Sequence, residues 1–340
     1  MSRKINWGVL GAAAIAVQRT MPALKEAPSA VLLALASREM GKAQAVADSL
    51  AVPRVYGSYD RLLADSEIDA VYVPLPNRLH FEWSARALEA GKNVLCEKPL
   101  CMSADEVRKL CVVRDKSQRH IEEGFAYRNH PQWAKVDELL SAGAIGKVRS
   151  VHATMAKQFF DPADIRNDPD AGGGALYDLG SYTISACNLI FKRAPARVVA
   201  AIDRDPVFRI DRLSSALLDY GDQHAAITVS TQGGTGAWGS HHQLSVLGEK
   251  GWMRFQFPFA HARPTACRLE LGDETSVGAF PTRIFDFDAA NQYLLEVERF
   301  SQLLLGESVP TWPIEDSLDI LRTIEAIFES ARTGQWQALD

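Results

Sequence analysis

The chain has no surplus of basic charge. Its 37 lysines and arginines face 42 aspartates and glutamates, a formal net charge of −5 over 340 residues. A nucleic-acid partner would call for a basic patch that releases counterions, so none is expected. Long apolar runs are also missing. The longest, Trp7 to Val17, is broken at Gln18, short of the ~18 residues that a membrane span needs. No membrane partner is therefore expected. Cysteine is sparse and odd in number, at Cys96, Cys101, Cys111, Cys187 and Cys267, without zinc-type spacing. There is no Asn-x-Ser/Thr acceptor and no signal-peptide pattern. These absences predict a cytoplasmic protein with free thiols. His-Glu-x-x-His, a Gly-Lys-Ser/Thr loop and a Gly-x-Ser-x-Gly elbow are lacking as well. His241 and His242 are adjacent and would point to opposite faces of a strand, and His152 and His261 have no ligand-spaced companions. No metal site is predicted.

What is present is an ordinary globular composition, 47% hydrophobic and 23% charged. Disorder as the main state is excluded, because the chain can bury a core. The length suggests about two domains. Up to residue 124, short apolar runs alternate with helical segments. Strands are read at Ile5–Leu10, Val31–Ala36, Ala70–Val73, Asn93–Cys96 and His120–Gly124, with helices between them. This pattern predicts βαβ units and a doubly wound parallel sheet, an α/β Rossmann domain over residues 1–124. Beyond it the pattern changes. Leu213–Tyr220 and His224–Thr231 flank Gly221-Asp222, and Gln243–Leu247 and Trp252–Phe257 flank a Gly-Glu-Lys-Gly turn. Two helices close the chain. Residues 125–340 are thus expected to form an α+β domain with a large, mostly antiparallel open sheet.

The first candidate site is the loop Gly11-Ala12-Ala13-Ala14-Ile15-Ala16 after the first strand. It matches a G-x-G-x-x-G/A fingerprint with Ala13 at the second glycine. Small residues allow a sharp turn and a close pyrophosphate, and the helix N-terminus offers unpaired N–H groups. The second strand ends in Ala36-Ser37-Arg38 with no acid at its end. An acid there would hold an NAD ribose. A hydroxyl and a guanidinium suit the 2′-phosphate of NADP, which is the preferred cofactor. Glu39, one residue on, leaves NAD open.

The second candidate is Lys98, in Glu97-Lys98-Pro99 at the carboxyl end of a strand, where open α/β sheets bind ligands. The third is the run from Gly172 to Tyr182, preceded by Asp164-Ile165-Arg166. Three glycines imply a close approach of ligand or backbone. Asp178 and Tyr182 are i and i+4 and share a helix face. A carboxylate there can orient the phenol, and a nearby ammonium would favour phenolate.

Taken in order, Gly8-Val9-Leu10-Gly11, Ala36-Ser37-Arg38, Pro74-Leu75-Pro76-Asn77-Arg78-Leu79-His80, Cys96-Glu97-Lys98-Pro99 and Gly172–Tyr182 resemble the Gfo/Idh/MocA oxidoreductase family. The resemblance covers most of the chain to about residue 190. Tyr182 stands where many members carry histidine. That feature is similar to the branch with glucose–fructose oxidoreductase, NADP-dependent D-xylose dehydrogenase and dimeric dihydrodiol dehydrogenase. The resemblance implies that Gly11, Ala13 and Ile15 line the pyrophosphate, and that Ser37 and Arg38 meet the adenosine ribose and its phosphate. It further implies that Leu75, Asn77 and His80 lie along the cofactor, and that Glu97 and Lys98 lie near the nicotinamide ribose. Lys98, Asp178 and Tyr182 would face the reacting carbon, with Tyr182 or Lys98 carrying the proton. Arg166 and His130 are weaker candidates for gripping sugar hydroxyls. The expected activity is hydride transfer between nicotinamide and a sugar, polyol or diol hydroxyl. Its alternatives are a keto-sugar reductase, an oxidoreductase that retains its nucleotide, or a non-catalytic NADP-binding sensor. A large open sheet face predicts a homodimer or homotetramer.

Overall fold

The computed structural model describes residues 3–233, 240–259, 266–278 and 280–339. His261 lies outside them. The chain forms two compact units, Met1–Ala126 with Asn291–Leu318, and Tyr127–Ala290 with Asp319–Asp340.

The first unit carries β1 (Ile5–Leu10), α1 (Met21–Glu26), β2 (Ala30–Ala36), α2 (Met40–Leu50), β3 (Arg54–Tyr56), α3 (Tyr59–Leu63), β4 (Ala70–Val73), α4 (His80–Glu89), β5 (Asn93–Glu97), α5 (Ala104–Ser117) and β6 (Ile121–Gly124). Its six strands run in the order β3-β2-β1-β4-β5-β6. Every pairing is parallel. This is the doubly wound Rossmann order, and its crevice opens at the carboxyl ends of the strands. The reason is visible in β4, whose four residues are all buried, as a strand covered on both faces requires.

The second unit continues with α6 (Pro131–Ser141), β7 (Val148–Lys157), α7 (Ser181–Phe191), β8 (Arg197–Arg204), β9 (Asp211–Asp219), β10 (His224–Ser230), β11 (Ser240–Gly248), β12 (Trp252–Phe255), β13 (Cys267–Gly272) and β14 (Arg283–Phe287). The helices α8 (Gln292–Leu304) and α9 (Ile314–Thr333) and the short β15 (Gln337–Ala338) complete the chain. Nine strands form one sheet, ordered β14-β13-β12-β11-β7-β10-β9-β8-β15. Both expected hairpins are there, β9 with β10 and β11 with β12. The exception to antiparallel order is β7, which pairs parallel with β10. In β9 the side chains alternate, with Leu213 and Leu217 exposed and Ala216 and Leu218 buried. One face is packed and the other is open.

Two features depart from the sequence reading. Helix α8 belongs to the first unit, although the expected second domain ran unbroken from 125 to 340. The cause is burial: Val297 and Phe300 join the core around Trp7, Leu35 and Tyr72. The Trp7 indole N–H donates to Ser301 Oγ at 3.0 Å, and the Ser29 amide donates to Glu298 at 2.9 Å. The helical segment read between the first two strands is also not uniform. Ala16–Thr20 is a π-turn before α1, and a second π-turn spans Leu176–Gly180 before α7. Such turns are frequent at functional sites.

Candidate active site

In the first unit, β1 ends at Gly11. Its φ is +105°, and its amide donates to Ala36 O at 2.7 Å. A methyl group there would meet Leu75 Cδ2 at 3.0 Å and the Tyr59 hydroxyl at 3.6 Å. Gly11 is thus held by both conformation and space. Ala13 has no positive φ and is half-buried, so a methyl group is compatible with this turn. Ile15, also half-buried, follows on the first helical turn.

At the end of β2, the Ser37 amide donates to Tyr56 O at 3.1 Å and its hydroxyl accepts from the Glu39 amide at 3.1 Å. Arg38 and Glu39 are exposed. Burial pushes the Tyr59 phenol upward, and the Arg38 guanidinium, hydrogen-bonded to it, partly offsets that push. Gly11, Leu75, Tyr59 and Arg38 are therefore neighbours. Tyr59 was missed in the sequence because α3 is only five residues long and follows a strand of three.

Asn77 lies half-buried on a short 3₁₀ turn ahead of α4. Glu97 ends β5 and accepts a hydrogen bond from the Tyr72 hydroxyl. Burial, then the Glu97 charge, pushes the Tyr72 phenol well up. Lys98 follows, half-buried, and the Lys98–Pro99 peptide is cis. His80 departs from its expected place along a cofactor. Its ring is fully buried, with Nδ1 2.7 Å from Pro99 O and Nε2 2.7 Å from Leu75 O. Both nitrogens are committed to the backbone.

In the second unit, two glycines of the triplet answer to packing within the protein. A Cβ at Gly173 would lie 2.5 Å from Arg166 O, and one at Gly174, where φ is +112°, would lie 2.0 Å from Asp211 Oδ1. Asp211 is buried, and its Oδ2 accepts from the Leu176 amide at 2.8 Å and from Ser214 Oγ at 3.0 Å. It seats the start of the π-turn that carries Asp178. Burial pushes the Asp211 carboxyl up to about 6. The sequence offered no signal for it, since Asp211 lies 35 residues from Leu176.

Asp178 is buried and accepts from Arg166 Nε at 2.7 Å. Arg166 also reaches Asp164 Oδ1 at 3.3 Å and lies over the Phe159 ring at 4.5 Å. The Asp178 charge is the main cause of the upward shift of this guanidinium. Tyr182 lies in the first turn of α7 and is buried against Tyr127 and Phe259, with ring centroids 5.8 and 6.1 Å apart. Tyr127 is anchored in turn by Ser185 Oγ at 2.7 Å, an oxygen that also accepts from Arg128. Burial pushes the Tyr127 phenol up to about 12. That leaves Tyr127 protonated and an unsuitable base at neutral pH.

His130 does not fit the expected grip on sugar hydroxyls. It is buried, its Nδ1 accepts the Gln132 amide at 3.3 Å as the N-cap of α6, and Cys267 Sγ lies 3.8 Å from Nε2. Among the described residues no group of three or more His, Cys, Asp or Glu is placed to hold a metal. No described helix is long and apolar enough to cross a membrane.

A glycine-turn cradle under a parallel sheet, with a lysine at the carboxyl end of β5, defines a dinucleotide-binding fold built for redox chemistry. Family models agree. Residues 5–125 match the oxidoreductase family with an NAD-binding Rossmann fold, and residues 133–254 match the GFO/IDH/MocA C-terminal domain. An uncharacterized oxidoreductase of Rhizobium meliloti is 40% identical over 336 residues, covering 98% of this chain and 99% of that one. D-xylose 1-dehydrogenase (NADP(+)) 2 of Haloferax volcanii is 38% identical over 335 residues, again covering 98% and 99%. Among solved structures, the 3-ketoreductase KijD10 from Actinomadura kijaniata, in complex with NADP and TDP-benzene, aligns with a TM-score of 0.85 at 30% identity, covering 96% and 98%. The chain belongs to the GFO/IDH/MocA family of oxidoreductases. It is an NAD(P)-binding enzyme of the dehydrogenase and reductase type.

Proposed function

We propose that the enzyme is an NADP-dependent dehydrogenase that oxidises a hydroxyl of a sugar, polyol or cyclic diol. The observation that carries this reading is the cradle at Gly11, which a Cβ would fill and which Leu75, Tyr59 and Arg38 surround. Gly11, Ala13 and Ile15 would hold the pyrophosphate, and Ser37 with Arg38 the 2′-phosphate. Leu75, Asn77 and Glu97 would flank the rest of the cofactor. NADP is named in both characterised relatives above. A bound nicotinamide supplies the hydride acceptor for the alcohol, or the donor in reverse.

The protein has to take the hydroxyl proton. Tyr182 is the proposed base, with Lys98 as its electrostatic partner or as the proton carrier itself. Asp178 is paired with Arg166 at 2.7 Å and would orient the substrate hydroxyls. Arg166 would act through Asp178. The intact set of Lys98, Asp178 and Tyr182 argues for catalysis over a sensor role. A second reading, reduction of a keto-sugar, is favoured by the likeness to the 3-ketoreductase. It uses the same residues in the opposite direction.

A homodimer or homotetramer is supported by the open sheet face, where Leu213, Leu217 and Leu247 are 41%, 38% and 53% exposed. A cytoplasmic setting is supported by the cysteines, all five of which are free.

The test is turnover with NADP⁺ across an aldose and cyclic-diol panel, and with NADPH across keto-sugars. Lys98→Met and Tyr182→Phe are each expected to lower kcat by about 10²–10⁴-fold. NADPH binding, read by fluorescence, should persist in both. Near-full turnover in both variants on a confirmed substrate would overturn the assignment.

A further inference from the structure

Lys98 is followed by a peptide group whose two ends are both gripped by buried side chains. The carbonyl of the Pro99–Leu100 peptide lies 2.7 Å from His80 Nδ1. The N–H of the same peptide donates to Glu123 Oε1 at 2.9 Å. Neither grip is loose. His80 is fully buried, and its Nε2 lies 2.7 Å from Leu75 O. Glu123 is buried at the carboxyl end of β6, and its Oε2 accepts from Ser317 Oγ at 2.6 Å. Three elements therefore converge on one peptide plane: α4 through His80, β6 through Glu123, and α9 through Ser317.

We propose that His80 and Glu123 clamp the Pro99–Leu100 peptide and so act as positioning residues for Lys98. The clamp reaches the lysine backbone across a single proline. Its aim is thereby set by buried groups. His80 also ties this peptide to the carbonyl of Leu75, so one ring spans the turns that follow β4 and β5. Both turns lie at the carboxyl end of the sheet. Positioning of this kind matters because displacing a reacting group by about 1 Å can cost about 10²-fold in rate.

The ring has two acceptors to serve. A neutral imidazole carries one N–H and serves one carbonyl at a time, whereas an imidazolium serves both. Burial pushes His80 down from its usual value, the contacts to Pro99 O and Leu75 O oppose that push, and the Lys98 charge adds to it. The two carbonyls favour the doubly protonated ring and burial favours the neutral one, and in either state the clamp assigns an N–H on Nδ1 to Pro99 O.

This inference rests on the reading of Lys98 as part of the proton-handling pair, and the experiment separates the two. An asparagine amide overlays Nδ1 of histidine and a glutamine amide overlays Nε2. His80→Asn keeps the donor to Pro99 O, and His80→Gln keeps the donor to Leu75 O. Glu123→Gln keeps an acceptor for the Leu100 N–H, and Glu123→Leu removes it. Each variant is assayed for kcat and KM with NADP⁺ and the best aldose of the panel. NADPH is titrated by fluorescence, and Lys98 reactivity is measured by competitive acetylation with acetic anhydride, read by mass spectrometry.

His80→Gln and Glu123→Leu are expected to lower kcat by about 10- to 100-fold and to change the acetylation rate of Lys98 at least threefold, with NADPH affinity within about threefold. His80→Asn and Glu123→Gln are expected to restore both readouts to within about threefold of the parent. Where Glu123→Leu fails to fold, His80→Gln against His80→Asn decides. Unchanged kcat and unchanged Lys98 reactivity in His80→Gln would overturn the clamp. Lys98→Met retaining full turnover would overturn the assignment of the lysine, while the acetylation readout would still decide whether the clamp holds it.

Discussion

Asp211 makes a measurable contribution to the pH dependence of stability. Its carboxyl is buried, bonded to the Leu176 amide and Ser214 Oγ, and pushed up by burial from its ordinary value of 3.8 to about 6. The charged group that acts on it from the neighbouring strand is Arg204, which opposes the shift without cancelling it. The folded state thus holds this proton more tightly than the unfolded chain. Between the two values the native protein binds more protons, so stability falls as pH rises through that window. A rise from 3.8 to about 6 corresponds to about 3 kcal/mol in full. About 2 kcal/mol of it is lost between pH 4.5 and 7.5, and the remainder below pH 4.5. Asp211→Asn keeps an oxygen for the Leu176 amide and has no charge to desolvate. Urea unfolding of parent and variant, followed by tryptophan fluorescence from pH 4.5 to 7.5, isolates this residue, because the other titrating groups cancel in the difference. The variant should gain on the parent by about 2 kcal/mol across the range. Parallel stability curves would refute the assignment of a proton to this buried carboxyl.

Three further outcomes follow from the same contacts. Gly174→Ala places a methyl group 2.0 Å from Asp211 Oδ1 at a φ of +112°, and should cost on the order of 3 kcal/mol or more, read from the urea midpoint. Arg38→Ala should weaken NADP⁺ by about 10- to 100-fold while leaving NAD⁺ nearly unchanged, a comparison of the two KM values. Arg166→Gln leaves the buried Asp178 carboxylate without its partner at 2.7 Å. Thermal unfolding should show a loss that Arg166→Gln combined with Asp178→Asn largely restores.

The parts of the fold that could be read in the sequence are those whose signals are local. Strands β1, β2, β4 and β5 are continuous apolar runs because both faces of the parallel sheet are covered, and periodicity records that directly. Strand β3 was missed because its three residues are only half-buried and form no apolar run. The two hairpins announced themselves through their turns, whereas the parallel contact of β7 with β10 joins residues 74 apart at His224 and Ser150 and leaves no mark in either segment. The same distinction divides the candidate site. Gly11, Lys98 and Tyr182 stand in recognisable runs. The residues that hold those runs in shape, Tyr59, Glu123 and Asp211, are single polar side chains whose partners lie far along the chain.

His80 shows why a motif alone assigns the wrong job. The Pro74–His80 run pointed to a residue along the cofactor, and its position next to Leu75 and Asn77 gave no reason to separate them. Burial separates them. Leu75 faces the Gly11 turn with a side chain that a Cβ there would touch at 3.0 Å, while the His80 ring has both nitrogens 2.7 Å from main-chain carbonyls and no exposed surface. A ring so committed has no polar atom left for a ligand, so its influence on catalysis has to pass through the peptides it holds. His130 is a weaker case, because its Nδ1 caps α6 while its Nε2 has only Cys267 Sγ at 3.8 Å beside it. The half-buried lysine, the phenol of α7 and the carboxylate paired with Arg166 remain the groups proposed to act on the substrate.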